Sequence, residues 1–424
     1  MLTLSGFFAA LLMGMPIFIV LLLAALLFMW ESGNPVLASS IIIQMDGTLS
    51  QSGLLAIPLF MLVGELMNKG GLTQRLLACA DLFVGHFRGG LAYVNLLTNA
   101  MAASILGSAT AQISIMTQLM VPSMVEKGYD KNFSAAVTIA GGLLGPIIPP
   151  SMLMIIYGVI AYQPVSALFL AGILPGLLIV FAFATVIALI GWKTGLPKGE
   201  KMPHRNMRAD LLAGILPGCI PVSVIALIIT GVMTPTEAGA VAAVLSFLIG
   251  HFAYKRLKFK DLPHIMVRVA TGTAAITALI ATASVFGWAL TFEGVPDKLV
   301  TLLTSLTDSK IAFILLVYLL VIVLGMFLES ISVMIVIVPL LLPVVRSMGI
   351  DPIHFGVMMS LATLVGLVTP PVGPGLFIAM ANSQVKMMPL LRAMIPFLLA
   401  MFMCMILIAL FPSLSLWLPN SLLK

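Results

Sequence analysis

Two stretches, Gly145-Pro-Ile-Ile-Pro-Pro-Ser151 and Gly366-Leu-Val-Thr-Pro-Pro-Val-Gly373, each interrupt a long hydrophobic run with paired prolines. Proline lacks an amide hydrogen and its ring clashes with the preceding helical turn, so neither run can be one continuous helix. The two breaks also echo each other. A shift of 221 positions lays Gly145 on Gly366, Pro149 on Pro370 and Pro150 on Pro371. The same shift lays Pro122 on Pro343, Gly128 on Gly349 and Asp130 on Asp351. Six identities under one ungapped shift imply an internal duplication whose copies each carry a broken helix. In a membrane chain, paired interruptions of this kind point to a transport site.

Composition supplies the membrane. The 424 residues are 61% hydrophobic and only 8% charged, against about 25% charged in ordinary soluble domains. Apolar stretches of about 20 residues recur from end to end, and the alternating pattern of a barrel is absent, so the chain reads as an all-α polytopic membrane protein. The net charge of +6 sits in short loops, the pattern of cytoplasmic retention rather than nucleic-acid binding. No basic n-region precedes the first apolar run, which is expected to stay as structure rather than be cleaved. Cys79, Cys219 and Cys404 lack metal-like spacing and read as small buried hydrophobes.

The run Leu2 to Trp30 bends at Gly14-Met15-Pro16 and admits either one tilted span or two short ones, with the side of the N-terminus open. Glu31 to Ser52 is more polar and is expected along an interface; Leu54 to Met67 resumes a span containing Glu65. Lys69 to Arg88 is amphipathic and basic, which places it inside. Its echo, Glu293 to Lys310, carries Glu293, Asp297 and Asp308 and lacks the basic excess. Equivalent segments on opposite faces mean inverted repeats, here residues 1–208 and 209–424.

Each repeat is expected to hold a re-entrant hairpin, about 89–124 and about 311–345, interrupted at Gly107-Ser-Ala-Thr-Ala111 and at Gly325-Met-Phe-Leu-Glu-Ser-Ile-Ser332. Ordinary spans with small residues for close packing are the alternative. Broken helices follow at about 133–162 and 354–381. Further spans are expected at Ala167 to Ile190, Leu211 to Met233, Ala238 to Phe252, Thr271 to Thr291 and Ala393 to Leu416. The basic loops Lys193 to Arg208, with Lys201 and Arg205, and Tyr254 to Arg268 belong inside, which leaves the C-terminus on the periplasmic or external face.

No Ser/His/Asp or metal-ligand spacing and no phosphate loop is found, so neither enzymatic chemistry nor ATP hydrolysis is expected. The breaks instead suit small ions. Unwound backbone frees carbonyl oxygens that, with hydroxyls, can coordinate Na⁺. Ser108, Thr110, Ser151, Ser330, Ser332 and Thr369 are the hydroxyls in place, although each could equally cap backbone. Glu329 lies at a hairpin tip, and an intramembrane acid is a functional candidate by default. Glu65 and Glu237 read as structural, the second as a helix cap after Thr234-Pro235. The 29 methionines read as adaptable packing.

These residues resemble the large membrane permease (M) subunit of the TRAP transporters, the tripartite ATP-independent periplasmic class. The matching stretches are Ile57-Pro-Leu-Phe-Met-Leu-Val-Gly-Glu-Leu-Met67 with Gly70-Gly71, Gly107-Ser-Ala-Thr-Ala111, Gly145-Pro-Ile-Ile-Pro-Pro-Ser151, Thr234-Pro-Thr-Glu-Ala-Gly239 and Thr369-Pro-Pro-Val-Gly373. The resemblance implies a multi-pass bacterial or archaeal inner-membrane permease without cofactors. Its partners would be a small four-helix membrane subunit and a periplasmic substrate-binding protein.

It further implies Na⁺-coupled uptake of an organic anion by an elevator motion, the anion being a carboxylate such as a C4-dicarboxylate or sialic acid, or a sulfonate. Carried over by position, Ser108, Thr110, Gly145, Pro149, Pro150 and Ser151 would frame one Na⁺ site. Glu329, Ser330, Ser332, Gly366, Thr369, Pro370 and Gly373 would frame the other, with substrate held between by Ser108, Ser151, Ser332 and Thr369. The chain departs from the family pattern at Pro374-Gly375, at Ala362 and at Glu329, where a shorter acid is common. A stand-alone anion transporter of related fold is the alternative reading, and an intramembrane enzyme a third that lacks a polar catalytic cluster.

Overall fold

The computed structural model describes residues 2–198, 207–292, 294, 295, 298, 300, 301 and 309–423. Lys201, Arg205, Glu293, Asp297 and Asp308, on which part of the loop argument rests, lie outside the described residues. Among the described residues all regular structure is helical apart from one isolated bridge pair, Arg88 with Lys198. Six of these helices are long and apolar enough to cross a membrane.

The N-terminal run resolves into two helices, α1 (Leu2–Leu12) and α2 (Ile17–Ser32), because Gly14 adopts a left-handed φ of 73° just ahead of Pro16. The polar stretch after it folds as α3 (Pro35–Leu49) and packs on α13 (Leu262–Phe292). Around them lie α4 (Ala56–Lys69), α5 (Leu72–Val84), α11 (Met207–Ile229) and α12 (Pro235–Leu248), with α4 against α12 and α5 against α11. Thr234 and Glu237 close a reciprocal capping box at the start of α12, with Glu237 Oε2 accepting from Thr234 N at 2.8 Å.

The other group of helices repeats in order. α6 (Gly90–Leu106), α7 (Ala109–Glu126), α8 (Lys131–Gly142), α9 (Met152–Ala161) and α10 (Val165–Thr194) are answered by α14 (Lys310–Gly325), α15 (Ser330–Ser347), α16 (Pro352–Leu367), α17 (Pro374–Ser383) and α18 (Met387–Leu410). The 221-position shift lays α7 on α15 end to end. It also lays the N-cap Asp130 on the N-cap Asp351, whose carboxylates accept from Phe133 N at 2.8 Å and Ile353 N at 2.7 Å. Both Pro-Pro bonds are cis. The final span expected from Ala393 to Leu416 instead stops at Leu410, because Pro412 cannot continue it, and α19 (Ser413–Leu422) follows.

The halves exchange arms. α9, after the first break, packs on α15, the inner arm of the second hairpin; α17, after the second break, packs on α7, the inner arm of the first. Asn382 on α17 reinforces the second contact, its amide donating to Ser114 O at 3.0 Å and Thr117 Oγ1 at 3.1 Å on α7. At one end of the bundle the basic loops meet. Arg256 donates to Gln74 Oε1 at 2.7 Å, and Arg75 lies 5.5 Å from the centre of the Tyr254 ring.

Candidate ion site at the hairpin tips

Each hairpin turns within a few residues. At the first tip, Gly107 has a left-handed φ of 60°, and a Cβ there would approach Met152 N to 3.3 Å, so the tip rests directly on the first break. Ser108 stands at the N-cap position of α7 in extended conformation without a side-chain capping bond, its Oγ 3.1 Å from Thr110 Oγ1. At the second tip, Met326 O accepts from Gly373 N at 2.9 Å, which ties that tip to the second break.

The two tips then meet. Thr110 Oγ1 donates to Glu329 Oε1 at 3.3 Å. Ser108, Thr110, Glu329 and Ser330 together line a cavity of about 20 Å³, whose other walls include Pro146 from the first break and Leu367 from the second. About 10–15 Å³ holds one water, so this space admits a single small species. Ser330 is buried, and its Oγ has no hydrogen-bond partner among the described residues. Among the described residues, one carboxylate and three hydroxyls, one of them the orphaned Ser330 Oγ, with no basic side chain, form a hard-oxygen donor set that fits a small cation and repels an anion.

The remaining expected residues are placed around this centre rather than in it. Ser151 Oγ donates to Pro146 O and accepts from Met154 N at 3.3 Å, so it caps α9 within the break formed by Gly145, Pro149 and Pro150. Gly145 leaves the space that Gln112 Oε1 occupies. Thr369 Oγ1, ahead of Pro370, donates back to Val365 O at 2.6 Å. Ser332 is buried in α15. Gly366 crosses Gly325 backbone to backbone, a Cβ at Gly366 falling 2.7 Å from Gly325 Cα. Residues expected in two separate sites thus converge, two from each, on one cavity, whereas Ser151, Ser332 and Thr369 do not line it.

A buried polar ladder escaped the sequence reading. Gln112 Nε2 donates to Asn99 O at 2.7 Å and Asn99 Oδ1 at 3.0 Å; Asn99 Nδ2 donates to Asn95 Oδ1 at 2.7 Å; Asn95 Nδ2 donates to Thr138 Oγ1 at 2.7 Å. It fastens both arms of the first hairpin to α8. Its signal was the spacing of Asn95 and Asn99, four apart and so on one helix face. Glu65 pairs with Arg268 at 3.7 Å on a partly exposed surface.

Long apolar helices, two hairpin tips sealed against two proline breaks, and a donor-lined cavity at their junction define a polytopic membrane permease. The sequence model of the tripartite ATP-independent periplasmic transporter, DctM component, matches residues 4–414, and the chain belongs to that family. It is 34% identical over 415 residues to the sialic acid TRAP transporter large permease protein SiaM of Vibrio cholerae, the match covering 98% of this chain and 97% of that one. It is 37% identical over 410 residues to the isethionate TRAP transporter permease protein DctMQ of Oleidesulfovibrio alaskensis, covering 96% of this chain and 64% of that one. The fold is similar to that of the Alcanivorax borkumensis YdaH transporter, with a TM-score of 0.71 over 91% of this chain and 90% of that one at 13% identity. These relatives are named as transporters and permeases, and the chain is a transport component rather than an enzyme.

Proposed function

We propose that this chain is the large membrane subunit of a Na⁺-coupled importer of a small organic anion, working with a small four-helix membrane subunit and a periplasmic substrate-binding protein. The observation that carries the reading is the cavity at the Thr110–Glu329 contact, where the two halves supply oxygen donors to a space of about one ion. Ser108, Thr110, Glu329 and Ser330 would hold the cation there. Freed carbonyls at the breaks of Gly145 to Ser151 and Gly366 to Gly373 would extend the donor set. A carboxylate or sulfonate is the substrate class, in line with the sialic acid and isethionate named for two relatives.

Residues 1–208 and 209–424 would be inserted in opposite orientations in a bacterial or archaeal inner membrane, with the basic loops cytoplasmic and the C-terminus periplasmic. The hairpins and broken helices would form the moving body of an elevator, and α1–α5 with α11–α13 its scaffold. The testing experiment is uptake of labelled anions into proteoliposomes holding the permease complex, with and without the binding protein, under an inward Na⁺ gradient or its K⁺ replacement. Uptake that needs both Na⁺ and the binding protein is expected; uptake indifferent to Na⁺ overturns the coupling, and uptake without the binding protein overturns the tripartite dependence.

A further inference from the structure

The hairpin cavity, at about 20 Å³ and lined by an acid, can hold no organic anion. A groove of about 580 Å³ between α10 and α18 has the volume, but its walls are apolar apart from Thr185 and Lys193, which suits acyl chains. A third cavity, of about 250 Å³, matches a small organic acid in both size and chemistry. It lies where α3 and α13 face α9 and α15, and Gln44, Gln51, Tyr162, Ser284, Trp288 and Thr291 are among its walls. Gln44, Gln51, Tyr162 and Trp288 bring amide, phenol and indole donors to an otherwise largely apolar lining, the usual make-up of a small-molecule pocket, while the Ser284 and Thr291 hydroxyls donate to Ala281 O and Gly287 O, each at 2.8 Å. Among the described residues no wall residue is charged.

Its location follows from α13. That helix begins beside the basic residues Lys258 and Lys260 and runs for 31 residues, about 46 Å. Trp288 and Thr291 occupy its far end, so the cavity lies remote from the basic loops, on the side that the charge rule puts outside. One pair of walls, α3 and α13, is scaffold; the other, α9 and α15, belongs to the arms that reach the ion site.

We propose that this cavity is a waiting site for the transported organic anion, a carboxylate or sulfonate bearing hydroxyl or amide groups, on its way from outside to the hairpin tips. The inference rests on the transport reading above. Neutral donors hold the anion, and with no fixed cation among the described walls the site is weak, as a station on a path requires: favourable enough to enter, loose enough to leave. An occupant touches scaffold and arms at once, so it would be released when they slide past each other.

The test uses the full chain with its small subunit, in lipid nanodiscs for quenching and in proteoliposomes with the binding protein and an inward Na⁺ gradient for uptake, and N-acetylneuraminate, isethionate and malate as probes. The probe that is transported should quench tryptophan emission saturably, and the Trp288→Phe complex should lose that component while the other three tryptophans remain. Gln44→Ala and Gln51→Ala should each raise the half-saturating concentration for quenching, and KM for uptake, by about fivefold with kcat unchanged, since each removes one hydrogen bond worth about 1 kcal/mol. Uptake of a probe with no response from Trp288, or with wild-type KM in both glutamine variants, refutes the waiting site and leaves transport standing. Quenching through Trp288 without uptake of any probe keeps the pocket and overturns the transport reading.

Discussion

Thr110 and Glu329, 219 positions apart in the chain, touch through Thr110 Oγ1 and Glu329 Oε1 at 3.3 Å and close the gap between the two hairpin tips. Each residue belongs to a different copy of the duplicated unit, so the contact makes one centre out of two repeats.

If that centre holds the coupling ion, removing the charge should weaken ion binding while leaving the fold intact. Glu329→Gln is expected to raise the Na⁺ concentration for half-maximal uptake by about tenfold or more, and Thr110→Val by about fivefold, given roughly 1.5–3 kcal/mol for a charged partner and about 1 kcal/mol for a neutral one. Na⁺ titration of uptake in proteoliposomes reads this directly; an unchanged half-saturation in both variants removes the site.

The crossing of α14 and α16 at Gly325 and Gly366 has no slack. A methyl at Gly366 would sit 2.7 Å from Gly325 Cα, and backbone cannot retreat as a flexible side chain can. Gly366→Ala should cost about 1–3 kcal/mol or more and lower the yield of folded complex. Gly218 on α11, with nothing within 4 Å of its position for a methyl, is the control: Gly218→Ala should be neutral or stabilising by up to about 1 kcal/mol. Thermal unfolding of the two purified variants decides, and equal midpoints would contradict the close crossing.

The ladder from Asn95 to Gln112 makes an ordered prediction. Gln112→Leu strips Asn99 Oδ1 of its donor in a fully buried setting and should destabilise by about 1–3 kcal/mol. Gln112→Glu sets a charge among acceptors when ionised but can donate to Asn99 through its hydroxyl when protonated, so its loss of stability relative to wild type should shrink as the pH falls, whereas that of Gln112→Leu should not. Thermal midpoints across pH check this: the same pH dependence in both variants would show that the ladder is not held by donation at that position.

Two acids read as structural can be separated by magnitude. Thr234→Ala breaks the capping box with Glu237 and should cost about 1 kcal/mol. Glu65→Gln removes only a long, partly exposed pair with Arg268 and should change stability by less than about 1 kcal/mol. A loss of Na⁺-dependent uptake in Glu65→Gln at unchanged stability would move Glu65 from the scaffold's surface into the mechanism.

The sequence carried the breaks, the shift of 221 positions and the helix limits around them, because proline, glycine and capping aspartates act within a turn of where they stand. Asp130 and Asp351 are legible for that reason, as is the box at Thr234. What no local rule reveals is partnership across the fold. Nothing in Ser108 or Glu329 alone says that the tips converge, so hydroxyls assigned to two centres turned out to share one cavity, while Ser151 and Thr369 satisfy their own backbone. The waiting cavity was hidden for the same reason, since Gln44, Tyr162 and Trp288 come from three distant segments.

The exchanged arms carry a consequence for biosynthesis. Asn382 clasps Ser114 across 268 positions, and a ribosome adding about 5–20 residues per second exposes the later residue on the order of ten to fifty seconds after the earlier one. During that interval the first hairpin must wait in the lipid with Ser114 and Thr117 uncovered, and its inner arm cannot reach its final packing until α17 arrives. Completion of the first half therefore waits on the last quarter of the nascent chain: its hairpin reaches final packing only when α17 docks on α7, and α8 and α10 only when α18 and α19 follow.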